Sequence, residues 1–261
     1  MPTYAIIGAT GKTGSSLLTL LLKDPKNVVH AYVRSKSKLL TQFPHLDETK
    51  SVQIFEGALN NIPLQASCIS GVDTIFSVIG ENENTPGLRI VQDSAHAIVA
   101  ALCLLGCNNG AKKVPKVLFL SSASMNPRMY SHEPAVMHWL LWRAMSNAYT
   151  DVARAEEYLR LHQSWLRVTF IQPGGLVEDE QKGHALSLDR QGAVAFVSYL
   201  DLAAGMIEIA EAGNFDGTGV SVISTSKDVK FEWKAPKQLV RGLIWHFAPP
   251  LAHVAKYVGW F

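Results

Sequence analysis

Three glycines spaced by three, Gly8, Gly11 and Gly14, follow the apolar run Tyr4-Ala-Ile-Ile7 and precede a leucine-rich stretch of helical length, Ser15 to Lys23. Strand, glycine turn and helix occur in the order that a pyrophosphate site requires. The chain must turn sharply, the phosphates must approach bare amides, and a helix N-terminus adds positive partial charge. Thr10, Lys12 and Thr13 complete the loop as binding candidates. The spacing is GxxGxxG, because Thr10 stands where GxGxxG would place its second glycine. Gly11-Lys12-Thr13 also resembles the end of a triphosphate-binding loop, but that loop needs a glycine five positions earlier, where Ile6 stands.

The residues after the second apolar run, Val28 to Val33, select the dinucleotide. An acid there would bind the ribose 2′-hydroxyl of NAD. The chain instead reads Val33-Arg34-Ser35-Lys36, with two cations and no acid. A guanidinium grips a 2′-phosphate through charge-assisted hydrogen bonds, so NADP(H) is expected over NAD(H), with Lys12 as a third charge.

A second chemical cluster closes the fifth apolar run, Val117 to Leu120, as Ser121-Ser122-Ala123-Ser124. Strand ends on this edge face the cofactor crevice, so Ser122 and Ser124 are candidates to hold a substrate carbonyl, and Ser121 to touch the cofactor. Asn82, Asn84, His132 and His184 are expected in loops at the rim of the same crevice. No cluster has metal-ligand spacing.

These groups need a scaffold. Further short apolar runs lie at Val52 to Phe55, Thr74 to Ile79, Leu166 to Ile171 and Val220 to Ser224. Helical composition covers 88–105, 135–162 and 202–212. Short continuous apolar strands alternating with helices predict an α/β fold: a Rossmann-like doubly wound parallel sheet covered on both faces. A single domain is expected over 1–261, with 176–261 contributing a small C-terminal substrate-side subregion. The tail from Lys230 carries Phe231, Trp233, Trp245, Phe247, Trp260 and Phe261. It is expected to shape an apolar pocket; a sheet-edge cover or a homodimer face is the alternative.

Of the 261 residues, 48% are hydrophobic and 18% charged, which supports a large core and excludes a disordered chain. A net charge of +2 without a basic block gives no reason to expect nucleic acid. Three cysteines are too few for a disulfide scaffold. The N-terminus has no signal-peptide pattern, and the longest apolar window is about half the ~20 residues of a membrane span. A cytoplasmic protein without an integral membrane segment is expected.

Gly8-Ala-Thr-Gly-Lys-Thr-Gly14, Val33-Arg34, Phe119-Leu-Ser-Ser-Ala123 and Gln172-Pro-Gly174 resemble the NmrA-like atypical short-chain dehydrogenase/reductases. Gly80-Glu-Asn-Glu-Asn84, Arg154-Ala-Glu-Glu-Tyr-Leu159 and Phe170-Ile-Gln-Pro-Gly-Gly175 look more narrowly like fungal averufin-oxidase-type proteins of aromatic polyketide pathways. The resemblance covers about residues 3–225. It implies a Rossmann fold and an NADP-linked step on a planar aromatic intermediate. It also implies that Ala58 and Leu59 lie near the adenine, Ile79 and Gly80 near the ribose, and Pro173 and Gly174 near the nicotinamide amide.

Catalytic members of that superfamily use Ser, Tyr and Lys, the last two spaced YxxxK on one helix. The ammonium then sits one turn from the phenol and lowers its pKa. Here the helix carries Tyr149-Thr-Asp-Val-Ala153, with the tyrosine and without the lysine; Arg154 is about 100° further round. Tyr32-Val-Arg-Ser-Lys36 matches the spacing but lies at the second strand. Glu156, Glu157 and Arg160 mark the following stretch as solvent-facing. The expected function is an NADP(H)-dependent oxidoreductase acting on a small aromatic ketone or quinone, with Ser122, Ser124 or Tyr149 polarising its oxygen. The missing lysine leaves two alternatives: a non-catalytic NADP(H)-binding redox sensor, or a non-redox isomerase or cyclase retaining the cofactor.

Overall fold

A computed structural model describes residues 1–131, 134–189 and 195–259. In chain order, its first half runs β1 (Thr3–Ile7), α1 (Lys12–Leu21), β2 (Val28–Val33), α2 (Lys36–Gln42), β3 (Val52–Glu56), α3 (Ile62–Ile69), β4 (Thr74–Ser77), α4 (Ile90–Leu104) and β5 (Lys116–Leu120). The second half runs α5 (Pro127–Tyr130), α6 (Ala135–Ala144), α7 (Ser146–Arg160), β6 (Arg167–Ile171), β7 (Gly175–Val177), β8 (His184–Ser187), β9 (Phe196–Ser198), α8 (Tyr199–Ala212), β10 (Gly219–Ser224), α9 (Ala235–Phe247) and α10 (Pro249–Tyr257).

Eight strands form one sheet in the order β3-β2-β1-β4-β5-β6-β10-β8, parallel except for β8. The apolar runs are sheet-interior strands: Ala5, Ile6 and Ile7 have no exposure, and neither have Val117 and Leu118. Alternate side chains feed two cores. One holds Leu17, Leu18, Leu21, Leu202 and Met206 from α1 and α8. The other holds Ala66, Ile69, Ile98, Leu102, Ala155 and Leu159 from α3, α4 and α7. Burial on both faces is why these strands read as unbroken apolar runs. Strand order reverses between β1 and β4, which opens a crevice at their carboxyl ends.

The stretch expected to be helical over 135–162 is two helices. Met145 breaks it, with φ −118° and ψ 19°. The new N-terminus is capped from a distance: Asn84 Oδ1 accepts from the Asn147 amide at 2.6 Å and the Ala148 amide at 3.3 Å. The tail also forms two helices, separated at Ala248, with Pro249 and Pro250 opening the second. Within 176–261, β8, β10 and α8 complete the main sheet and its core, whereas α9 packs on α6.

Asp151 joins two helices in the same way. It is 1% exposed, and its carboxylate accepts from the Val91 and Gln92 amides, each at 3.0 Å, and from Gln92 Nε2 at 2.9 Å. It thereby closes the N-terminus of α4, whose dipole favours an anion. Asp151→Ala is expected to destabilise the protein by about 2–3 kcal/mol, because it strands two amides bonded to a charged acceptor. The check is urea unfolding, with a lowered midpoint at unchanged slope; an unmoved midpoint would contradict it.

Candidate dinucleotide crevice and active site

The three glycines of the loop play different structural parts. Gly8 has φ +101°, a conformation that side chains strain. Gly14 lets α1 approach the turn: a Cβ there would lie 2.2 Å from Gly8 O and 2.8 Å from Ala9 Cα. Gly11 differs. A Cβ there would meet only Gly8 O, at 3.4 Å, so the space beside it is open. Gly11 is also the N-cap of α1 and supplies no side-chain cap. The first-turn amides of Lys12, Thr13 and Gly14 therefore have no partner among the described residues. Unpaired helix-end amides beside an open glycine fit an anionic diphosphate.

The three cations expected at the 2′-phosphate part company. Lys12 Nζ lies 2.7 Å from Glu178 and 5.5 Å from the Tyr199 ring centroid, and the Glu178 hydrogen bond raises its pKa. Lys36 Nζ pairs with Asp47 at 3.2 Å. Arg34 is exposed after β2, with no side-chain partner among the described residues. Glu56 stands nearby in the fold, but its Oε1 accepts from the Lys36 amide at 2.9 Å.

Beyond the loop, two backbone carbonyls are tied down. Ala58 O accepts from Tyr32 Oη at 2.7 Å and Leu59 O from Gln65 Nε2 at 2.5 Å. Ile79 packs against the core, and Gly80 is exposed with open space around it. Pro173 O accepts from the Ala123 amide at 2.9 Å, which fastens the Pro173-Gly174 turn to the serine cluster.

The catalytic candidates divide. Ser124 and Tyr149 meet: Ser124 Oγ donates to Tyr149 Oη at 3.3 Å, and the two are 5% and 9% exposed. Ser122 is a capping residue, with Oγ accepting from the Ser124 amide at 3.3 Å. Ser121 Oγ donates to Glu156 Oε1 at 2.5 Å. Ala153 occupies the helical position that YxxxK would give to lysine.

The solvent-facing reading of Glu156 is wrong. Glu156 is 7% exposed, because α7 turns that face onto the end of β5. Gln172 Nε2 donates to it at 3.0 Å, and Arg160 pairs with its second oxygen at 3.3 Å. Gln172 also accepts from Asn126 Nδ2 at 3.0 Å, so one buried network joins β5, α7 and the end of β6. A charge pattern alone does not reveal such partners.

The residues expected at the crevice rim fall in different places. Asn84 is 2% exposed and structural: besides capping α7, it donates through Nδ2 to Gly242 O at 3.2 Å. His184 lies on the edge strand β8 and pairs with Glu208 at 2.9 Å. His132 lies outside the described residues. The aromatic residues of the tail differ in burial, and its helix α9 lines a cavity with Gln238, Arg241 and Gly242, opposite Asn82 and Asn84. Trp233 and Phe247 are 83% and 62% exposed, whereas Trp245 is buried at 2%; Trp260 and Phe261 lie outside the described residues. Sequence reasoning missed Trp142, which stands edge-on to Tyr149 with centroids 5.3 Å apart. Its signal was a tryptophan seven residues before the tyrosine, hidden by the break at Met145. Among the described residues no group could hold a metal ion, and no helix is long and apolar enough to cross a membrane.

A family model described as NAD(P)H-binding matches residues 8–212. The oxidoreductase ordB of Dothistroma septosporum is 42% identical over 250 residues, 95% of this chain and 93% of its own. The oxidoreductase stcQ of Emericella nidulans is 41% identical over 255 residues, 95% of this chain and 92% of its own. Among solved structures, a short-chain dehydrogenase/reductase from Veillonella parvula in complex with NADP has the same fold. Its TM-score is 0.67 at 20% identity, over 87% of this chain and 97% of its own.

Proposed function

The chain belongs to the NAD(P)H-binding family, and on that premise we propose that it is an NADP(H)-dependent oxidoreductase acting on a planar aromatic ketone or quinone of polyketide type. The observation that carries this reading is the buried Ser124–Tyr149 pair at the end of β5, on the crevice edge that also bears the glycine cradle. The oxidoreductase names of the relatives support it.

The amides of Lys12, Thr13 and Gly14 hold the diphosphate and Arg34 holds the 2′-phosphate. The reduced nicotinamide, when bound, supplies a hydride. Tyr149 gives a proton to the substrate oxygen. Ser124, donating to Tyr149 Oη, steadies the phenolate left behind, which is part of what an ammonium at position 153 would do. The Glu156–Gln172 network keeps the serine turn and α7 in register.

Ala153 in place of lysine favours a second reading, a non-redox isomerase or cyclase that retains the cofactor. NADPH consumption with a panel of hydroxylated anthraquinones separates the two. Oxidation of NADPH coupled to loss of the quinone supports the first. Conversion of substrate with NADPH intact supports the second.

Arg34→Ala is expected to weaken NADPH binding by about 1.5–3 kcal/mol, the range for hydrogen bonds to charged groups. NADH, which lacks the 2′-phosphate, should bind as before. Calorimetry on both cofactors is the check, and equal affinities in the parent protein would contradict the preference.

A further inference from the structure

Tyr149 is the end of a file of four rings. Tyr130 stacks on His138, with centroids 3.7 Å apart and planes 20° apart. His138 meets Trp142 at 6.3 Å and 64°, and Trp142 meets Tyr149 at 5.3 Å and 70°. His138 and Trp142 are four residues apart on α6 and so share one face of it. That face leads to the Ser124–Tyr149 pair.

The file contains a polar atom that the fold does not use. His138 Nε2 is buried and has no hydrogen-bond partner among the described residues. Buried polar atoms are nearly always paired, so an orphan on the helix face that leads through Trp142 to Tyr149 points to a ligand. An aromatic carbocycle would fill the same space without that cost. The helix is held in place from behind: a Cβ on Gly242 would lie 1.8 Å from Ala144 O, so α9 crosses the end of α6 in backbone contact.

We infer that α6 is the wall that recognises the substrate, with Trp142 packing on its flat face and His138 Nε2 bonding a ring hydroxyl or carbonyl. The inference rests on the proposed aromatic substrate and names the residues that select it. Neutral imidazole accepts from a phenol or donates to a carbonyl according to tautomer. Hydroxylated quinones carry both groups side by side. Offset or edge-to-face contact with Trp142 adds attraction beyond the area buried. The tail then serves the site through α9, as the support of α6.

The test is the affinity of the NADPH-loaded protein for 1,8-dihydroxyanthraquinone, in the parent and in His138→Phe, His138→Gln, Trp142→Phe and Trp142→Ala. His138→Phe keeps a ring and removes the nitrogen, and should raise Kd about tenfold, the scale of one buried hydrogen bond and its stranded partner. His138→Gln restores a polar group near the same place and should recover affinity to within about threefold of the parent. Trp142→Ala should weaken binding about tenfold, and Trp142→Phe less. NADPH affinity should stay within about twofold in all four, since cofactor contacts lie elsewhere. Parent-like quinone affinity in His138→Phe overturns the inference alone, and so does a parallel loss of NADPH affinity, which marks a structural role. A parent protein that binds NADPH but not the quinone overturns the substrate reading, and this inference with it.

Discussion

Tyr149→Phe is expected to lower turnover by about 10²–10⁴-fold, the range for losing a positioned proton donor. The ring stays, so the edge-on contact with Trp142 and the packing of α7 survive. NADPH affinity should stay within about twofold, because the loop contacts are untouched. Ser124→Ala removes one neutral hydrogen bond to the phenol and should cost about tenfold. The double variant should be little worse than Tyr149→Phe, since Ser124 acts through the phenol. Steady-state kinetics on the three variants decides this. Additive losses would place Ser124 on the substrate rather than on Tyr149, and parent-like turnover in Tyr149→Phe would remove the phenol from the mechanism.

The second large effect concerns the glycine loop, where two neighbouring glycines should fail in different ways. Gly11→Val places its side chain in open space, with φ −76° and ψ 166° that valine tolerates. The fold should persist while the diphosphate is excluded. NADPH affinity should fall by at least about 100-fold, roughly 2.7 kcal/mol. Gly14→Ala drives a Cβ against Gly8 O and Ala9 Cα, both backbone atoms that cannot swing away. It should lose binding and stability together, by about 2–4 kcal/mol of overpacking and strain. Thermal unfolding beside calorimetry separates the pair. Tight NADPH binding by folded Gly11→Val would refute the cradle.

The glycine loop, the central strands and the missing lysine were legible because each is local or nearly so. Gly8, Gly11 and Gly14 fall within one seven-residue segment, and strands buried on both faces leave uninterrupted apolar runs. The strands β7 and β9 have three residues each and, among the described residues, pair with one another alone, so no periodicity announces them. The break at Met145 was hidden because its cause, Asn84, lies 63 residues from the amide it caps. Glu156 misled for the same reason. Its donors Ser121 and Gln172 come from other strands, and without them a carboxylate between Ala155 and Glu157 reads as solvent-facing. Arg34 is left without a side-chain partner among the described residues, whereas Lys12 and Lys36 found carboxylates that a linear reading cannot pair with them.

The central claim is hydride transfer from NADPH bound at this crevice to an aromatic substrate. The direct measurement is a single turnover with NADPH deuterated at nicotinamide C4, on each face in turn, with a hydroxylated aromatic ketone as acceptor. The account predicts deuterium on carbon in the reduced product from one face only, with transfer slowed sharply in Tyr149→Phe. Substrate converted with all label retained on the cofactor would contradict it and identify the cofactor as a structural element.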